Sequence, residues 1–536
     1  MEFSNRNRSV FRYTTLAAAS LLSAPVWSAG FELPQYGVRE MGVAKGGSAA
    51  LLEDASAVAN NPAGLIRLQG RNFTGGAALV LSEFDYDIEV RRELRAEVGG
   101  TVPGQEKGSI DGAAVVPHLY YSTRLADNAA VGIGLYVPVG SATSYKSDWA
   151  GRYHATDTEI TAINIAPTFA WKVTPTVSAG IGAVIQRFEG NFKNKIDLGY
   201  ILGHEMLNEV AEQNQAILEN SQNPAAGLAI KTQVIDRLAH NYDVDNEMHV
   251  TSTAFGINAG LLWEPSPRFR AGLQYNSEIR HRPEGTATRA QLNDPNFRQS
   301  IIDAICDSLS GLGGSGDIYL LDCYGTSQSS QEDRETAEDG ADTALGPLGA
   351  QGGKIDTDII VPHRVTASFV YGLNDNWLMT GGVTWTNWSR VKEIRFSYPD
   401  NSQRGGSPIT DTDDDVRRRD LVQDFSWQDT FRYGLGAIYD THNRWAFRFG
   451  AAYDESPMPD SSRRSPRGPD SDRIIGSLGM SYRWSDSLVI DAAYSYTHFT
   501  DSEINARENP AGTDHRMVGD ITGQLHTAAM QVSYNF

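Results

Sequence analysis

The 536-residue sequence has no long apolar run after its first 28 residues. A helix that crosses a membrane needs about 18 or more consecutive apolar residues, and no such stretch occurs there. The mean hydropathy, −0.37, points the same way. These observations exclude a protein that crosses a membrane with helices.

Basic residues are scarce relative to acidic ones. The chain has 46 Lys and Arg against 66 Asp and Glu, which gives a formal net charge of −20. A protein with this excess of negative charge is repelled by the phosphate backbone of nucleic acids. We therefore expect no nucleic-acid partner.

Cysteine is nearly absent, and only Cys306 and Cys323 occur. In an oxidising compartment this pair favours a disulfide that closes a loop, with free thiols or a metal site as the alternatives.

The acidic run 411–415 resembles a calcium loop, but Val416 stands where such a loop needs glycine, which favours a solvated acidic loop. Phosphate-binding glycine loops, zinc-ligand spacings and nucleophile elbows are also missing, so we expect no metal, no cofactor and no enzymatic activity.

The first 28 residues have the pattern of a secretory signal peptide. Arg6, Arg8 and Arg12 form a basic start, a short apolar stretch follows over 14–22, and small residues precede Ala29. The apolar stretch is too short to span a bilayer. The pattern predicts an exported protein whose mature form begins at Ala29.

Many segments of the sequence alternate between apolar residues and small or polar residues, with a period of two. A strand with lipid on one side and a polar lumen on the other needs this rhythm, although strands of soluble sandwiches alternate as well. At the C-terminus the mostly apolar face comprises His526, Ala528, Met530, Val532, Tyr534 and Phe536. Further segments with small or charged residues on the second face are 131–139, 431–439, 445–453 and 478–484. In the first of these, the residues expected to face lipid are Val131, Ile133, Leu135, Val137 and Val139.

Short turns and long loops alternate along the chain after residue 70. Six short turns of turn-forming residues separate seven long polar segments, of which 190–246 and 284–356 are the longest. This arrangement gives fourteen strands, and bacterial barrels place short turns in the periplasm and long loops outside. The sequence therefore predicts an all-β transmembrane protein with a 14-stranded antiparallel barrel over 71–536. Proline near two predicted strand starts, in 116–118 and 361–363, is ordinary and receives no role.

The segment 29–70 does not alternate and is rich in Gly and Ala. It is either a periplasmic extension or a hatch that folds into the lumen as a plug, because a barrel of this size is wide enough to leak. Two later segments, 204–220 and 225–240, have helical spacing instead. They either pack a long loop onto the barrel rim or form an apolar groove at the extracellular mouth.

Several motifs resemble the FadL family of outer-membrane long-chain fatty-acid transporters, which includes aromatic-hydrocarbon channels. They are the start Ala29-Gly30-Phe31-Glu32-Leu33, the hatch motif Asn61-Pro62-Ala63, and the segments 384–389, 451–459 and 469–473. Together they cover the mature chain from end to end. The resemblance implies a barrel in the outer membrane of a Gram-negative bacterium, closed by an N-terminal hatch in the lumen. It also implies passive uptake through an external groove, an internal pocket and a side exit where the third strand kinks inward.

A candidate for that kink lies in the segment 135–141. Pro138 cannot donate a hydrogen bond to a strand ladder and Gly140 tolerates unusual dihedral angles, so both are disfavoured inside a regular strand. The alternative is that the strand simply ends near its extracellular rim there.

A fatty-acid ligand needs apolar walls and a cation for its carboxylate. Arg364, Arg432 and Arg448 face the lumen by strand parity, where they bind either a ligand or acidic residues of the barrel and hatch. By resemblance, the family's carboxylate-binding positions lie near Arg187 and Arg395. Parity places both on the lipid-facing side, where they can instead meet lipopolysaccharide phosphates.

The leading hypothesis is a monomeric carrier of long-chain fatty acids or related hydrophobic compounds, in contact with outer-membrane lipid and lipopolysaccharide. An aromatic-hydrocarbon channel of the same family is the nearest alternative. An outer-membrane lipase or deacylase would need a nucleophile system that the sequence does not show. A general porin is disfavoured by the segment 29–70.

Overall fold

The computed structural model describes residues 30–33, 35–92, 100–202, 238–309, 323–348, 353–397, 421–508 and 515–536. Its main feature is a ring of fourteen antiparallel strands. They are β1 (Arg71–Arg92), β2 (Lys107–Ala126), β3 (Ala129–Ser144), β4 (Asp157–Thr174), β5 (Val177–Asp197), β6 (Asp243–Ser266), β7 (Phe269–Asn276), β8 (Arg364–Gly372), β9 (Trp377–Thr386), β10 (Thr430–Asp440), β11 (Trp445–Asp454), β12 (Arg473–Arg483), β13 (Leu488–Phe499) and β14 (His515–Asn535).

The ring closes because the last strand returns to the first. β1 pairs with β14 along its length, from Asn72 opposite Asn535 to Arg92 opposite His515. Tight turns join β2 to β3, β4 to β5, and so on to β12 and β13, and all long connections lie at the other end. The predicted 14-stranded antiparallel barrel is therefore confirmed.

The outer surface of the ring is apolar. Large apolar side chains at alternate positions point away from the interior, and Leu435, Ile474 and Leu478 are each more than half exposed. Water-soluble monomers rarely expose a continuous apolar band, whereas a membrane barrel needs one against lipid. The alternation read from 431–439, 445–453 and 478–484 gives the correct outward faces.

One predicted outward face is wrong. Ile133 and Leu135 point outward as expected, but Val137 and Val139 are only 6% and 2% exposed. The reason is that β3 leaves the wall above Tyr136, where its pairing with β2 ends and its register with β4 shifts. Side chains alternate between the outer and the inner face only while the strand stays in the sheet.

Helices occupy the interior and the long loops. The N-terminal ones are α1 (Val38–Gly42), α2 (Ala57–Asn60) and the 3₁₀ helix Pro62–Arg67. In the long connection between β7 and β8, α3 (Pro295–Leu309) and α4 (Gln328–Leu348) form a pair, and the Cys306–Cys323 disulfide joins α3 to the residues before α4. The remaining 3₁₀ helices are Ala290–Asn293, Trp388–Arg390 and Ser461–Arg463. None of the described helices has the length and apolar character needed to cross a membrane.

Short strands complete the described structure. They are Gly100–Thr101, Ile279–His281, Glu284–Thr288, Gly353–Asp356, Ile359–Val361, Glu393–Phe396, Leu421–Asp424 and Ser502–Glu508. The predicted signal peptide, the segment 204–220, the segment 225–240 except for 238–240, and the acidic run 411–415 lie outside the described residues.

Candidate ligand-binding site

Residues 30–68, here called the N-terminal segment, contact inward-facing positions of the ring. One anchor is Asn61, whose Nδ2 donates to the carbonyl oxygens of Ala49 at 2.8 Å and of Leu261 in β6 at 3.0 Å. Its Oδ1 accepts a hydrogen bond from the Ala63 amide at 3.0 Å. A Cβ atom at Gly260 would overlap Asn61 Oδ1, so this wall position needs glycine. In the Asn61-Pro62-Ala63 motif, the Asn61 side chain thus packs against the barrel wall.

A second anchor lies on the opposite side of the ring. Arg39 Nε lies 3.0 Å from the Asp491 carboxylate in β13 and 3.4 Å from the Asp54 carboxylate. Gln531 in β14 donates to both carboxylates, at 2.8 Å to Asp54 and 3.0 Å to Asp491. All four side chains are buried. Because β6 and β13 face each other across a ring of fourteen strands, the N-terminal segment lies across the bore.

Among the arginines predicted to face the lumen, Arg448 contacts the N-terminal segment directly. Its Nη2 lies 3.0 Å from Glu53 Oε2, and its side chain is only 4% exposed. Arg432 lies 3.7 Å from Asp454 and its Nη2 is 3.5 Å from the Ala44 carbonyl oxygen. These contacts are the internal ion pairs that the sequence allows as an alternative to ligand binding.

A polar cavity lies beside the N-terminal segment. Its charged lining consists of three cations and two carboxylates: Lys45, Arg364, Arg432, Glu32 and Asp454. Arg364 pairs with Glu32, and its Nη2 donates to the Tyr36 hydroxyl at 3.0 Å. Burial lowers the pKa of Lys45 to about 8, and the neighbouring Glu40 carboxylate opposes this shift. These cations can donate charge-assisted hydrogen bonds to a ligand carboxylate in addition to their contacts with Glu32 and Asp454.

An apolar cavity adjoins the polar one. Its apolar lining includes Phe31, Tyr136, Val139, Val184, Ile279, Val361 and Trp388. Both cavities share Glu32, Tyr36, Arg364 and Thr386. A ligand with an oily tail and a negative head can thus place its two ends in two adjoining environments. Sequence reasoning missed Glu32, Tyr36 and Lys45 because they lie in a segment without periodicity.

The wall is interrupted next to the apolar cavity. β2 and β3 pair from the turn up to His118 opposite Tyr136, and in the described structure no pairing between them continues beyond that point. A groove in this gap is lined by Leu33, Val116, Val137 and Gly140, among others. The free edge of β3 is occupied by the N-terminal segment, because Leu33 N donates to Pro138 O at 2.8 Å and Gly140 N donates to Phe31 O at 3.0 Å.

Arg187 and Arg395, the two positions suggested by the resemblance, lie away from both cavities. Arg187 in β5 is exposed, and its Nη1 is 3.4 Å from Thr253 Oγ1. Arg395 is exposed beside Glu393 at 3.0 Å. Strand parity predicts the outward placement of Arg187 in the ring. The expected place of Arg395 on a lipid-facing strand is wrong, because its short strand Glu393–Phe396 pairs with Leu421–Asp424 and not with the ring.

Comparison with known proteins identifies the family. The family model described as outer membrane protein transport protein (OMPP1/FadL/TodX) matches residues 19–536. The long-chain fatty acid transport protein of Escherichia coli K12 is 25% identical over 513 residues, covering 93% of this chain and 94% of the relative. Outer membrane protein P1 of Haemophilus influenzae Rd is 22% identical over 543 residues, covering 98% and 99%.

Solved structures show the same fold. A Pseudomonas aeruginosa FadL homologue matches with a TM-score of 0.70 at 22% identity, over 95% of this chain and 100% of the other. The Pseudomonas putida toluene transporter TodX matches with a TM-score of 0.55 at 15% identity, over 95% and 100%. These findings place the protein in the outer membrane of a Gram-negative bacterium. The chain belongs to the OMPP1/FadL/TodX family of outer-membrane transport proteins.

Proposed function

We propose that this protein takes up long-chain fatty acids passively across the outer membrane. The observation that carries the proposal is the adjacency of the two cavities, which meet at Arg364 and Glu32. An acyl chain gains by leaving water for the apolar cavity, and its carboxylate gains a charge-assisted hydrogen bond in the polar one. A neutral hydrocarbon cannot accept such a hydrogen bond in the polar cavity.

The lateral gap between β2 and β3 supports a route from the apolar cavity into the membrane. Pro138 and Val139 line both the cavity and the edge of this gap. The N-terminal residues 31–33 cover that edge through two backbone hydrogen bonds, so a ligand that leaves by this route has to displace them. In the same proposal the rest of the N-terminal segment acts as a plug that keeps polar solutes out, and an external apolar groove first receives the ligand.

A second candidate function is uptake of aromatic hydrocarbons. An aromatic cluster stands at the apolar cavity, with ring centroids 5.0 Å apart for Phe31 and Trp388 and 5.1 Å apart for Trp388 and Trp427. Edge-to-face contacts of this kind suit a ring-shaped ligand. The solved relative TodX is the toluene transporter of Pseudomonas putida.

Replacing Arg364 distinguishes the two functions. We expect Arg364→Gln to weaken fatty-acid binding by about tenfold or more, because a hydrogen bond to a charged group contributes roughly 1.5–3 kcal/mol. Binding of toluene should change little. The dissociation constants of oleate and toluene for the purified protein provide the measurement, with Arg444→Gln, an exposed site at the short-turn end, as control.

Two results would contradict the fatty-acid assignment. One is an oleate affinity that Arg364→Gln leaves unchanged. The other is a wild-type protein that binds toluene but not oleate, which would favour the aromatic-hydrocarbon function.

The lateral route predicts that tying the N-terminal segment to β3 slows transport. A Cβ atom at Gly140 would lie 3.4 Å from Leu33 Cγ, so Leu33→Cys with Gly140→Cys is well placed for a disulfide. We expect this pair, here called the β3 staple, to lower oleate uptake strongly in a Gram-negative host that lacks its own transporter. A reductant should restore uptake.

The control for this experiment is the wild-type protein with the same reductant, because Cys306 and Cys323 are also bonded. The Leu33→Cys single variant controls for the loss of the leucine side chain. Uptake by the oxidised double variant at the rate of its single-cysteine control would rule out movement of residues 31–33 as a step in transport.

A further inference from the structure

The wall has a second interruption, on the β7 side of β6. The short strand Glu284–Thr288 pairs with Glu247–Thr251 of β6, and β7 pairs with β6 from Asn258 to Ser266. Within the described residues, 252–256 have no ladder partner on that side. We call these residues, together with 277–283 opposite them, the β6 window.

The interruption arises because the neighbouring chain turns inward. After β7 ends at Asn276, the chain forms the strand Ile279–His281, which pairs with Ile359–Val361 and not with β6. Both inward excursions end at a proline before rejoining the wall, Pro283 in the first and Pro362 in the second. Proline cannot donate to a ladder, so it suits a place where a strand leaves the sheet.

The two interruptions lie at the same level of the wall. Tyr136 of β3 pairs with Asn164 of β4, Asn164 pairs with Gln186 of β5, and Gln186 pairs with Ala254 of β6. Pairing between β2 and β3 stops at the first of these residues, and the β6 window contains the last. The gap between β2 and β3 and the β6 window are therefore the two edges of one four-strand panel.

The apolar cavity lies directly behind this panel. Its lining includes Tyr136 and Pro138 at the β3 edge and Ile257, Ser277 and Ile279 at the β6 edge. The same internal space therefore reaches both interruptions. A hydrophobic molecule held there is adjacent to two places where the wall lacks a strand ladder.

Few contacts close the β6 window. A Cβ atom at Gly256 would lie 2.6 Å from Ile279 Cγ1, so the Ile279 side chain fills the space in front of Gly256. At the edge nearer the short turn between β6 and β7, Ser277 is bonded to β6: its amide donates to Ile257 O at 2.9 Å and its Oγ accepts from Ile257 N at 2.9 Å. At the opposite edge, nearer the long loops, His281 Nδ1 lies 2.7 Å from Ser252 Oγ.

The rim of the window is apolar on the β6 side, whereas the opposite edge, 277–283, carries Glu278 and the exposed side chains of Arg280 and Arg282. Phe255 is 73% exposed, and Ile257 and Tyr275 are both exposed beside it. A hydrocarbon chain that emerges along the β6 side meets these apolar side chains and then lipid. Opening needs rotation of Ile279 and release of the Ser277 hydrogen bonds, whereas a regular wall would need a whole ladder to separate.

We propose that the β6 window is a second lateral portal, through which the hydrocarbon part of a ligand passes between the apolar cavity and the membrane. The portal takes uncharged chains or rings, because its inner edge at the cavity is formed by Ile257, Ser277 and Ile279. This inference rests on the proposed transport function and adds a route to it.

A second disulfide tests the portal. A Cβ atom at Gly256 would lie 3.1 Å from Ser277 Oγ, so Gly256→Cys with Ser277→Cys is well placed to close the window. The decisive comparison is oleate uptake by cells with the β3 staple alone and by cells with both staples. We expect the β3 staple alone to leave uptake above that of cells without the protein, and both staples to reduce it to that background.

Equal uptake with one staple and with both would overturn the portal. If the unstapled wild type gives no uptake above background, the proposed transport function fails instead, so the two failures are distinguishable. Folding of each variant is checked by the heat-dependent migration of the barrel on gels, and reduction should restore uptake. Ile279→Ala in the protein with the β3 staple gives a second measurement: a several-fold gain in uptake supports the portal, and no gain counts against it.

Discussion

Deleting residues 30–68 is expected to turn the barrel into an open pore for small polar solutes. These residues contact β6 through Asn61 and β13 through Arg39, so they lie across the bore. A ring of fourteen strands is too wide for its own side chains to fill. Swelling of liposomes that contain the purified barrel in solutions of small sugars provides the measurement.

The comparison for this deletion is the full-length protein at the same density in the liposomes. We expect little swelling with the full-length chain and rapid swelling with the deleted one, while the barrel keeps its heat-dependent migration on gels. Equal swelling rates would show that these residues do not act as a plug, and the general role assigned to the N-terminal segment would then be wrong.

Arg39→Leu is expected to release the N-terminal segment without unfolding the barrel. The change leaves the carboxylates of Asp54 and Asp491 buried without their common cation. Breaking a buried ion pair by removing one partner costs roughly 3–5 kcal/mol. The segment should then become accessible to protease in the folded barrel, and polar solutes should leak as in the deletion.

The matched control is Arg268→Leu. Arg268 lies 3.5 Å from Asp375 with both side chains largely exposed, and such surface pairs contribute only about 0–1 kcal/mol. We expect this variant to behave like the wild type.

Adding Asp54→Asn and Asp491→Asn to Arg39→Leu should restore part of the protection from protease, because the unpaired charges are removed. Full protection in Arg39→Leu alone would show that this cluster does not hold the segment in place.

The prolines of the wall illustrate how far local sequence reasoning extends. The sequence predicts a kink at Pro138 and Gly140, and the structure has an interruption of pairing at that place. The segment 116–118 is interpreted as an ordinary strand start, but Pro117 lies in the middle of β2, which begins at Lys107. Its position next to the end of the β2–β3 pairing explains the proline, because no ladder partner needs its missing amide there.

The barrel itself could be predicted from the sequence, because alternation and turn chemistry are local. A residue in a strand faces lipid or lumen according to its parity alone, so segments such as 431–439 and 478–484 reveal their outward faces without any knowledge of neighbours. Parity likewise places Arg364, Arg432 and Arg448 inside and Arg187 outside.

Only the tertiary structure decided what lies inside the ring. Arg39 and Asp491 are separated by 452 residues, and nothing near either one in the sequence indicates that they pair. The same holds for Arg364 and Glu32 at the junction of the two cavities. Parity also fails after Leu135, because a strand that leaves the sheet no longer has an outer face. The wall of this protein thus follows from the period of its sequence, whereas its cavities and interruptions follow from contacts between distant residues, which no local pattern encodes.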